Sequence, residues 1–401
     1  MAAAVEVGPR AAWRVIRSRN FGPYFAGNAA SASGTWFQNL AASILVYRLT
    51  HSAFLLGVLN FVQFVPVLLL APWAGSIADR VDRRRLLLCT QLVSTAFSAT
   101  LAALAFAGAA GEWVVIALSG ALGIATAIGV PAQQALIASL VDEEDVPQAV
   151  ALNSMTFNLA RAVGPASAAA VIATLGIAWA FTLNSLSYLL LVAGLLLVRP
   201  RVEERAERAS LLASFRLLRE SPKLAVALLI VMVAGFGSDP VNTESPAFAH
   251  AYGYSDAWSG AIVALFGAGA VVAALLVAGR VAGSRGRMAA TLAALGGGMA
   301  LFSLCPWLPL GLLFLAVAGF GYLGSNTSAT TRLALGVLPS QRGRIMALWS
   351  VAFLGLRPVA SLADGAIAGT VGVRAAGLVL AAPALLGAAL AVRARRSVGR
   401  D

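Results

Sequence analysis

Long apolar runs recur along the whole chain, and short polar gaps separate them. A helix needs about 20 apolar residues to cross the hydrocarbon core of a bilayer. Runs that meet this length lie at 23–48, 53–78, 86–108, 113–139, 149–173, 177–198, 224–248, 257–279, 288–305, 309–337, 345–369 and 373–392. The pattern therefore predicts an all-α membrane protein with about twelve transmembrane helices.

The composition agrees with a helical bundle embedded in lipid. Hydrophobic residues make up 59% of the 401 residues and charged residues 11%, whereas soluble domains carry about a quarter charged residues. The excess of 29 Lys+Arg over 17 Asp+Glu falls in the gaps between apolar runs. This placement indicates membrane topology, and no nucleic-acid partner is expected.

The chain carries few residues that suggest catalysis or metal binding. Cys89 and Cys305 lie in separate apolar runs without a CxxC pattern, so no metal site is expected. His51 and His250 fall in gaps without a recognisable partner. Neither a phosphate-binding P-loop nor a G-x-S-x-G motif occurs. We therefore expect no enzymatic activity, no cofactor and no ATP-driven pump.

Arginines concentrate in alternate gaps between the apolar runs. The positive-inside rule places such gaps in the cytoplasm. These gaps hold Arg80, Arg83, Arg84 and Arg85, then residues 199–223, then Arg280, Arg285 and Arg287, then Arg342 and Arg344. Both termini are then cytoplasmic, and the inner membrane of a bacterium is the expected location. The basic N-terminal stretch has no separate apolar core with a cleavage site, so we interpret it as a cytoplasmic tail.

The longest polar stretch, 199–223, separates two sets of about six apolar runs. Its apolar residues recur at helical spacing, which predicts an amphipathic helix on the inner leaflet. They are Leu211, Leu212, Phe215 and Leu218, opposite Arg216 and Arg219. We therefore expect a six-helix bundle over 1–198, a cytoplasmic linker over 199–223 and a second six-helix bundle over 224–401.

A weak internal repeat supports two parallel halves. Pro165 lies in the fifth run and Pro358 in the eleventh, and Gly176 and Gly369 follow them at the same distance. Repeated halves of this kind are typical of transporters.

The gap between the second and third runs carries a recognisable signature. Residues 75–85 read Gly-Ser-Ile-Ala-Asp-Arg-Val-Asp-Arg-Arg-Arg. This resembles the loop signature G-x-L-x-D-R-x-G-R-R of the major facilitator superfamily, which lies at the same place on the cytoplasmic side. Asp82 replaces the second glycine, as it does in the branch that contains macrolide and siderophore exporters. The resemblance implies the superfamily's fold, two bundles of six helices.

The same resemblance implies a conformational latch at the cytoplasmic side. In it, Asp79 accepts hydrogen bonds from the start of a facing helix, where the helix dipole favours an anion. The residues of the latch are Gly75, Asp79, Arg80, Arg83, Arg84 and Gly343. The alternative is that Asp79 only pairs with neighbouring arginines, which then serve topology alone.

The fifth run resembles the antiporter signature G-x-x-x-G-P-x-x-G-G. Gly164 and Pro165 are kept, while the other glycine positions hold Ala160, Ala168 and Ala169. All of these residues are small, so close helix approach stays possible. The resemblance implies an exporter.

Charged residues inside apolar runs are costly and are functional candidates by default. Counted along the helices, Arg161, Asp239 and Arg357 lie near the bilayer middle, and Glu244 and Asp364 lie nearer the outer side. The superfamily places the seventh and eleventh helices side by side, so Asp239 and Arg357 are the expected pair. Arg161 would then meet an anionic substrate group, Glu244 or a residue across the cavity. Glu244 and Asp364 are the candidate proton sites, and a static buried ion pair or outer exposure of Glu244 are the alternatives.

Polar residues recur on one face of several runs. The resemblance implies that the first, fourth, seventh and tenth helices line a central cavity, which makes these residues candidate substrate contacts. They are Asn28, Ser31, Thr35 and Asn39, then Thr126 and Gln133, then Asn158 and Arg161, then Asn242, Tyr322 and Asn326. Pro240 and Pro246 bracket Asn242 and predict a broken helix that faces the pathway. Ordinary hydrogen bonding between helices is the alternative for each stripe.

These features together predict a secondary transporter. It would export a hydrophobic or amphipathic small molecule of the drug, antibiotic or siderophore type in exchange for protons, as a monomer surrounded by membrane lipid. The same architecture would suit a lysolipid translocator or a small-molecule importer. A membrane receptor or scaffold that does not transport is the alternative outside this class.

Overall fold

The computed structural model describes residues 9–201, 218–219, 221–277, 285–338 and 341–398. These residues are almost entirely α-helical and include no strand. The helices are α1 Pro9–Ile16, α2 Phe21–Thr50, α3 Ala53–Arg80, α4 Arg83–Phe106, α5 Glu112–Ser139, α6 Val146–Leu175, α7 Ile177–Leu197, α8 Pro222–Thr243, α9 Ser245–Ala251, α10 Trp258–Val277, α11 Arg285–Leu304, α12 Leu308–Leu335, α13 Arg342–Ser350, α14 Arg357–Val371 and α15 Val373–Val398.

Eleven stretches of the described helices are long and apolar enough to cross a membrane. They coincide with the second to twelfth predicted runs, which confirms the all-α membrane class. The first predicted run coincides with α2, whose 30 residues extend about 45 Å at 1.5 Å per residue. α2 is not among the eleven because the polar residues between Asn28 and Asn39 lower its hydropathy.

The helices cluster into two compact units. The first unit comprises Met1–Ala42 and Leu69–Ala206, and the second comprises Ser43–Leu68 and Glu207–Asp401. This division differs from the predicted bundles in its assignment of 43–68, so α2 and α3 each contribute to both units. Residues 202–217 and 220, which carry most of the predicted amphipathic linker, lie outside the described residues.

Backbone packing explains why residues 43–68 cluster with the second unit. A Cβ atom at Gly57 would lie 2.6 Å from the carbonyl oxygen of Ser361 and 2.9 Å from the Cα atom of Gly365. The two glycines therefore let the backbones of α3 and α14 come into contact, as small residues do in membrane helix packing. A larger side chain at Gly57 has no room unless the helices separate.

The first unit has its own apolar core near the start of α2. Val15 of α1, Phe21 and Tyr24 are fully buried in it together with Leu191 of α7. A Cβ atom at Gly27 would lie 2.7 Å from the Cα atom of Leu191. α2 and α7 thus pack with their backbones close together.

Two predicted spans are interrupted in the second unit. The seventh breaks at Glu244, which separates α8 from α9, as the flanking prolines predicted. The eleventh contains a π-helical turn, Val351–Gly355, and α14 begins at Arg357 with Pro358 in its first turn. Such interruptions within α-helices are frequent at functional sites.

The predicted internal repeat is wrong in its glycines. Gly176 joins α6 to α7 with φ 94°, and the residue that matches it is Gly372, which joins α14 to α15 with φ 94°. Gly369 instead lies inside α14. The two prolines are not equivalent either, because α6 continues through Pro165 whereas Pro358 opens a new helix. A positive φ at a helix junction favours glycine.

Candidate functional site

The loop signature is partly a helix-capping device. Asp82 is the N-cap of α4, and its Oδ1 accepts a hydrogen bond from the backbone N–H of Arg85 at 2.7 Å. Asp is a preferred N-cap residue, which explains its presence where the superfamily pattern has glycine. The side chains of Asp79 and of Arg342 and Arg344, which flank Gly343, lie outside what the structure describes. The latch therefore stays a prediction.

Arg84 donates hydrogen bonds to backbone carbonyl groups at the carboxyl end of α7 in the first unit. Its Nε donates to the carbonyl oxygen of Leu195 at 2.6 Å and its Nη2 to that of Leu196 at 2.8 Å. The last carbonyls of a helix have no partner within the helix, and a cation there also meets the negative end of the dipole. Arg83 makes a longer bond to the carbonyl oxygen of Ala135 at 3.5 Å, while Arg80 is exposed.

We expect Arg84→Gln to destabilise the first unit by about 1–2 kcal/mol, because two charge-assisted hydrogen bonds are lost. The midpoint of thermal unfolding in detergent would measure this loss. Arg80→Gln removes a charge from the same gap without removing these bonds, and it is the control. Equal midpoints for the two variants would show that Arg84 serves only topology.

The predicted antiporter segment positions an arginine on an aromatic ring. A Cβ atom at Gly164 would lie 2.7 Å from the Cβ atom of Trp36, so this glycine allows α6 to pack closely on α2. One turn earlier on α6, the guanidinium of Arg161 lies 5.8 Å from the centroid of the Trp36 ring. Phe157 contacts the same ring edge-on, with centroids 6.4 Å apart. The side chain of Asn158 lies outside the description.

The polar stripe of α2 joins three helices of the first unit. Gln133 Nε2 donates to Asn28 Oδ1 at 2.6 Å, and Asn28 Nδ2 donates to Asn153 Oδ1 at 2.8 Å. Gln133 also reaches the hydroxyl of Tyr24 at 3.3 Å. These three amides link α2, α5 and α6. Asn28 and Gln133 therefore take part in hydrogen bonding between helices, which was the alternative role for the polar stripes.

Other predicted cavity residues differ in exposure and partners. Thr35 donates to the carbonyl oxygen of Ser31 at 2.9 Å and lies 3.5 Å from the hydroxyl of Tyr188. Thr126 is exposed, whereas Ser31 is buried. Asn39 is half-buried.

In the second unit the predicted cavity residues are more enclosed. Asn242 Nδ2 donates to the carbonyl oxygen of Ser238 at 2.8 Å. Tyr322 is buried, with its ring 5.5 Å from that of Phe266. The buried Oδ1 of Asn326 has no hydrogen-bond partner among the described residues.

Asp239 is the centre of a satisfied polar network in the second unit. Its Oδ2 accepts from the hydroxyl of Thr243 at 3.0 Å and its Oδ1 from that of Ser361 at 3.2 Å. Nε of Arg357, the partner expected from the sequence, lies 3.9 Å from Oδ1. The guanidinium of Arg357 also stacks on Phe64, 4.2 Å from the ring centroid. The Asp239 carboxyl thus faces a cation and two hydroxyl groups.

Glu244 and Asp364 differ from Asp239 in their hydrogen bonding. Both are fully buried, and no oxygen of either has a hydrogen-bond partner within the described part of the chain. Glu244 stands at the break between α8 and α9 and makes no capping bond there. Asp239 lies five residues before it on α8, and Asp364 lies about one turn beyond Ser361, which binds Asp239. Three carboxyls near one another cannot all be ionised without strong repulsion.

We call the three buried carboxyl residues Asp239, Glu244 and Asp364 the carboxyl cluster. Across the described ranges, no group of three or more His, Cys, Asp or Glu residues could hold a metal ion.

A second polar cluster, which the sequence did not predict, lies in the second unit around the ends of α2 and α9 and the gap that follows α9. Both histidines have partners there, so the expectation that they have none is wrong. His250 and Arg48 share the carboxylate of Asp256, with His250 Nε2 at 2.6 Å from Oδ1 and Arg48 Nε bonded to Oδ2. Tyr47 lies against His250, with ring centroids 5.1 Å apart, and His51 against both.

Arg374 links the ends of α9 and α11 in the second unit. Its Nη1 donates to the carbonyl oxygen of Cys305 at 3.0 Å and its Nη2 to that of Ala251 at 3.3 Å. It therefore satisfies the carboxyl ends of α11 and α9 at once. The guanidinium also lies 4.3 Å from the ring centroid of Tyr252. Burial raises the pKa of Tyr252 to about 12, although Arg374 acts to lower it.

Sequence comparisons relate the chain to membrane transporters. Residues 10–399 match the family described as transmembrane secretion effector. A staphyloferrin A transporter of Staphylococcus aureus (strain NCTC 8325 / PS 47) is 31% identical over 221 residues, which are 53% of this chain and only 56% of that relative. An enterobactin exporter of Shigella boydii serotype 4 (strain Sb227) is 28% identical over 322 residues, 78% of this chain and 76% of that protein.

Solved structures share the fold at low identity. A bacterial homolog to the human lysosomal transporter Spinster, inward-facing and unoccupied, superposes with a TM-score of 0.72 at 12% identity and covers 97% of this chain and 98% of its own. The nucleoside transporter NupG gives 0.69 at 14% identity, covering 92% and 98%. The relatives are transporters and not enzymes, as the sequence predicted. Because the family match covers nearly the whole length of a membrane-spanning helical fold, the chain belongs to the transmembrane secretion effector family of major facilitator superfamily transporters.

Proposed function

We propose that this transporter exports an amphipathic small molecule of the drug, antibiotic or siderophore type from a bacterial cell in exchange for protons, by alternating access. Glu244 is the first proton site and Asp364 the second. The observation that carries the proposal is the full burial of both carboxyls without a hydrogen-bond partner among the described residues. An ionised carboxylate is costly in such a place, whereas a group that alternately binds and releases a proton suits it.

Asp239 does not suit the same role. Its carboxylate faces Arg357 and accepts two hydroxyl hydrogen bonds. Each of these contacts favours the ionised form. A group that stays ionised in every state of the cycle carries no proton across the membrane. Asp239 and Arg357 therefore serve to hold α8 against α14.

The substrate class rests on the relatives and on the first unit. One relative is named a staphyloferrin A transporter and another an enterobactin exporter. Arg161 stacked on Trp36 combines a cation with an aromatic face, which suits a substrate with both apolar and anionic parts. The amide cluster of Asn28 and Gln133 adds hydrogen-bonding groups nearby along α2 and α5.

The remaining parts of the proposal follow from the sequence. The arginine-rich gaps place both termini in the cytoplasm of an inner membrane. Asp79 and the start of α13 at Gly343 form the cytoplasmic latch. The protein works as a monomer in contact with membrane lipid.

Flux in inside-out membrane vesicles with an imposed proton gradient tests the proposal, with ethidium and enterobactin as probes. Wild-type flux should follow the gradient, because each cycle exchanges substrate for protons. Glu244→Gln should lose this dependence, since glutamine keeps the shape but takes no proton, and Asp364→Asn should weaken it. Glu143→Gln, which neutralises an exposed acid outside the carboxyl cluster, should keep the response to the gradient.

Several outcomes would overturn parts of the proposal. Wild-type flux that ignores the gradient would exclude proton coupling. A gradient response that both carboxyl variants retain would place the proton site elsewhere. Flux in the opposite direction would identify an importer. Movement of a lysolipid, with no movement of either probe, would identify a lipid translocator. Absence of any flux would identify a receptor or scaffold.

A further inference from the structure

One face of α6 carries three residues spaced four apart, Asn153, Phe157 and Arg161, which we call the α6 strip. Residues at this spacing are neighbours on one face of a helix. Their partners lie on α2, where Asn28 Nδ2 donates to Asn153 Oδ1 at 2.8 Å. Further along α2, the Trp36 ring contacts both Phe157 and Arg161. The α6 strip therefore follows α2 over about 12 Å, at 1.5 Å per residue.

The α6 strip faces the interior of the first unit or a water-filled cavity rather than lipid. Arg161 lies at the middle of α6. Away from the helix ends, it is the only charged residue in the membrane-spanning helices that the structure describes for the first unit. Charged side chains at such a depth almost always face the bundle interior or a water-filled cavity. Phe157, on the same face, is 48% exposed, so the described part of the chain leaves the strip open to a ligand.

The chemical groups of this surface change from one end to the other. At one end, the amides of Asn28, Asn153 and Gln133 offer hydrogen-bond donors and acceptors. Aromatic rings follow, and the guanidinium of Arg161 lies at the other end, 5.8 Å from the centroid of the Trp36 ring. The planar guanidinium binds carboxylates through paired hydrogen bonds. The surface therefore matches a molecule with polar groups at one end, an apolar middle and an anionic group at the other end.

We propose that the α6 strip binds the substrate and that Arg161 selects a molecule with a carboxylate or similar anionic group over a cation. This inference rests on the proposed function and narrows its substrate to the anionic class. The guanidinium pairs with the anionic group, the rings of Trp36 and Phe157 cover the apolar part, and the amides bond the polar groups. A cationic molecule would bring like charges together in a medium of low dielectric constant, where repulsion is strong.

Gradient-driven flux in inside-out vesicles tests the selection with two probes, staphyloferrin A, which carries several carboxylates, and ethidium, which is a cation. Wild type should move staphyloferrin A at the higher rate. Arg161→Gln should lower its flux at low probe concentration at least about tenfold, because hydrogen bonds between charged groups are lost. Ethidium flux should not fall in this variant, which shows that the variant is folded. Arg161→Glu should reverse the preference, so that ethidium moves faster than staphyloferrin A.

Arg17→Gln is the matched control, because Arg17 also stacks on a tryptophan, 5.0 Å from the centroid of the Trp13 ring, but lies outside the α6 strip. It should keep both rates. Arg161→Lys keeps the charge and should keep the preference for staphyloferrin A, which covers poor accumulation of the other variants. Faster flux of ethidium than of staphyloferrin A in wild type or in Arg161→Lys, or equal loss of both fluxes in Arg161→Gln, would overturn the role of Arg161 alone. Wild type that moves neither probe, nor enterobactin, would instead overturn the proposed function.

Discussion

Arg357→Gln should destabilise the second unit by about 3 kcal/mol, because breaking a buried ion pair leaves one charge without compensation. The charge left behind is that of Asp239, which is 2% exposed and lies near Glu244 and Asp364. Asp239→Asn should do less damage. Arg357 keeps its contact with the Phe64 ring, and its side chain is less buried than that of Asp239, at 18% against 2% exposed.

The double variant Asp239→Asn/Arg357→Gln should recover much of the stability that Arg357→Gln loses. Neither charge is then left buried alone, and residues in contact show such non-additivity. The midpoint of thermal unfolding in detergent and the folded fraction recovered from membranes would measure it. Arg357→Lys keeps the charge but not the planar group, and it separates charge from stacking on Phe64. Additive losses in the double variant would show that the two side chains act independently.

Gly57→Leu should prevent α3 from packing on α14 and should lower stability by about 3 kcal/mol, the upper range of overpacking effects. A Cβ atom at Gly57 already meets Ser361 and Gly365 backbone atoms at 2.6 and 2.9 Å, and backbone cannot move aside as a side chain can. We expect little folded protein in membranes and no gradient-driven flux.

Gly75→Leu is the matched control on the same helix. A Cβ atom at Gly75 meets nothing within 4 Å, so its leucine variant should accumulate to the wild-type level, whatever its effect on transport. Equal accumulation of the two variants would contradict the tight α3–α14 contact.

The number and position of the helices could be predicted because crossing a bilayer imposes a length of apolar sequence. The structure begins and ends most spans within a few residues of the predicted runs. The break at Glu244 could also be predicted, since proline removes a backbone donor and two prolines flank the site. The π-helical turn Val351–Gly355 could not, because Gly355 and Pro358 weaken a regular helix without specifying that a π-helical turn forms there.

The candidate site was predictable only in part. The face of a helix on which Asn28 lies follows from its periodicity, but its partners Gln133 and Asn153 do not. The expected neighbourhood of Asp239 and Arg357 came from the family resemblance, which supplies the order of helices. The contacts of His250 and Arg48 with Asp256 had no such signal, because Arg48 at the end of the first run and Asp256 in a gap are far apart in sequence.

The arginines of the gaps show a similar limit. Their number in alternate gaps indicates orientation, but that count does not distinguish Arg84, which binds two carbonyl oxygens, from the exposed Arg80. Only the packing of α4 beside the end of α7 makes the difference.

The single-glycine junctions at Gly176 and Gly372 bear on how the protein is inserted during synthesis. One residue spans at most about 3.6 Å, so α6 with α7, and α14 with α15, have no loop between them that could be translocated separately. We therefore expect each pair to enter the bilayer as a hairpin. In the first pair, the arginines after α7 would then orient α6 and α7 together. An epitope tag placed at either glycine would have to divide a hairpin, whereas the gap 252–257 offers an insertion point between separate helices.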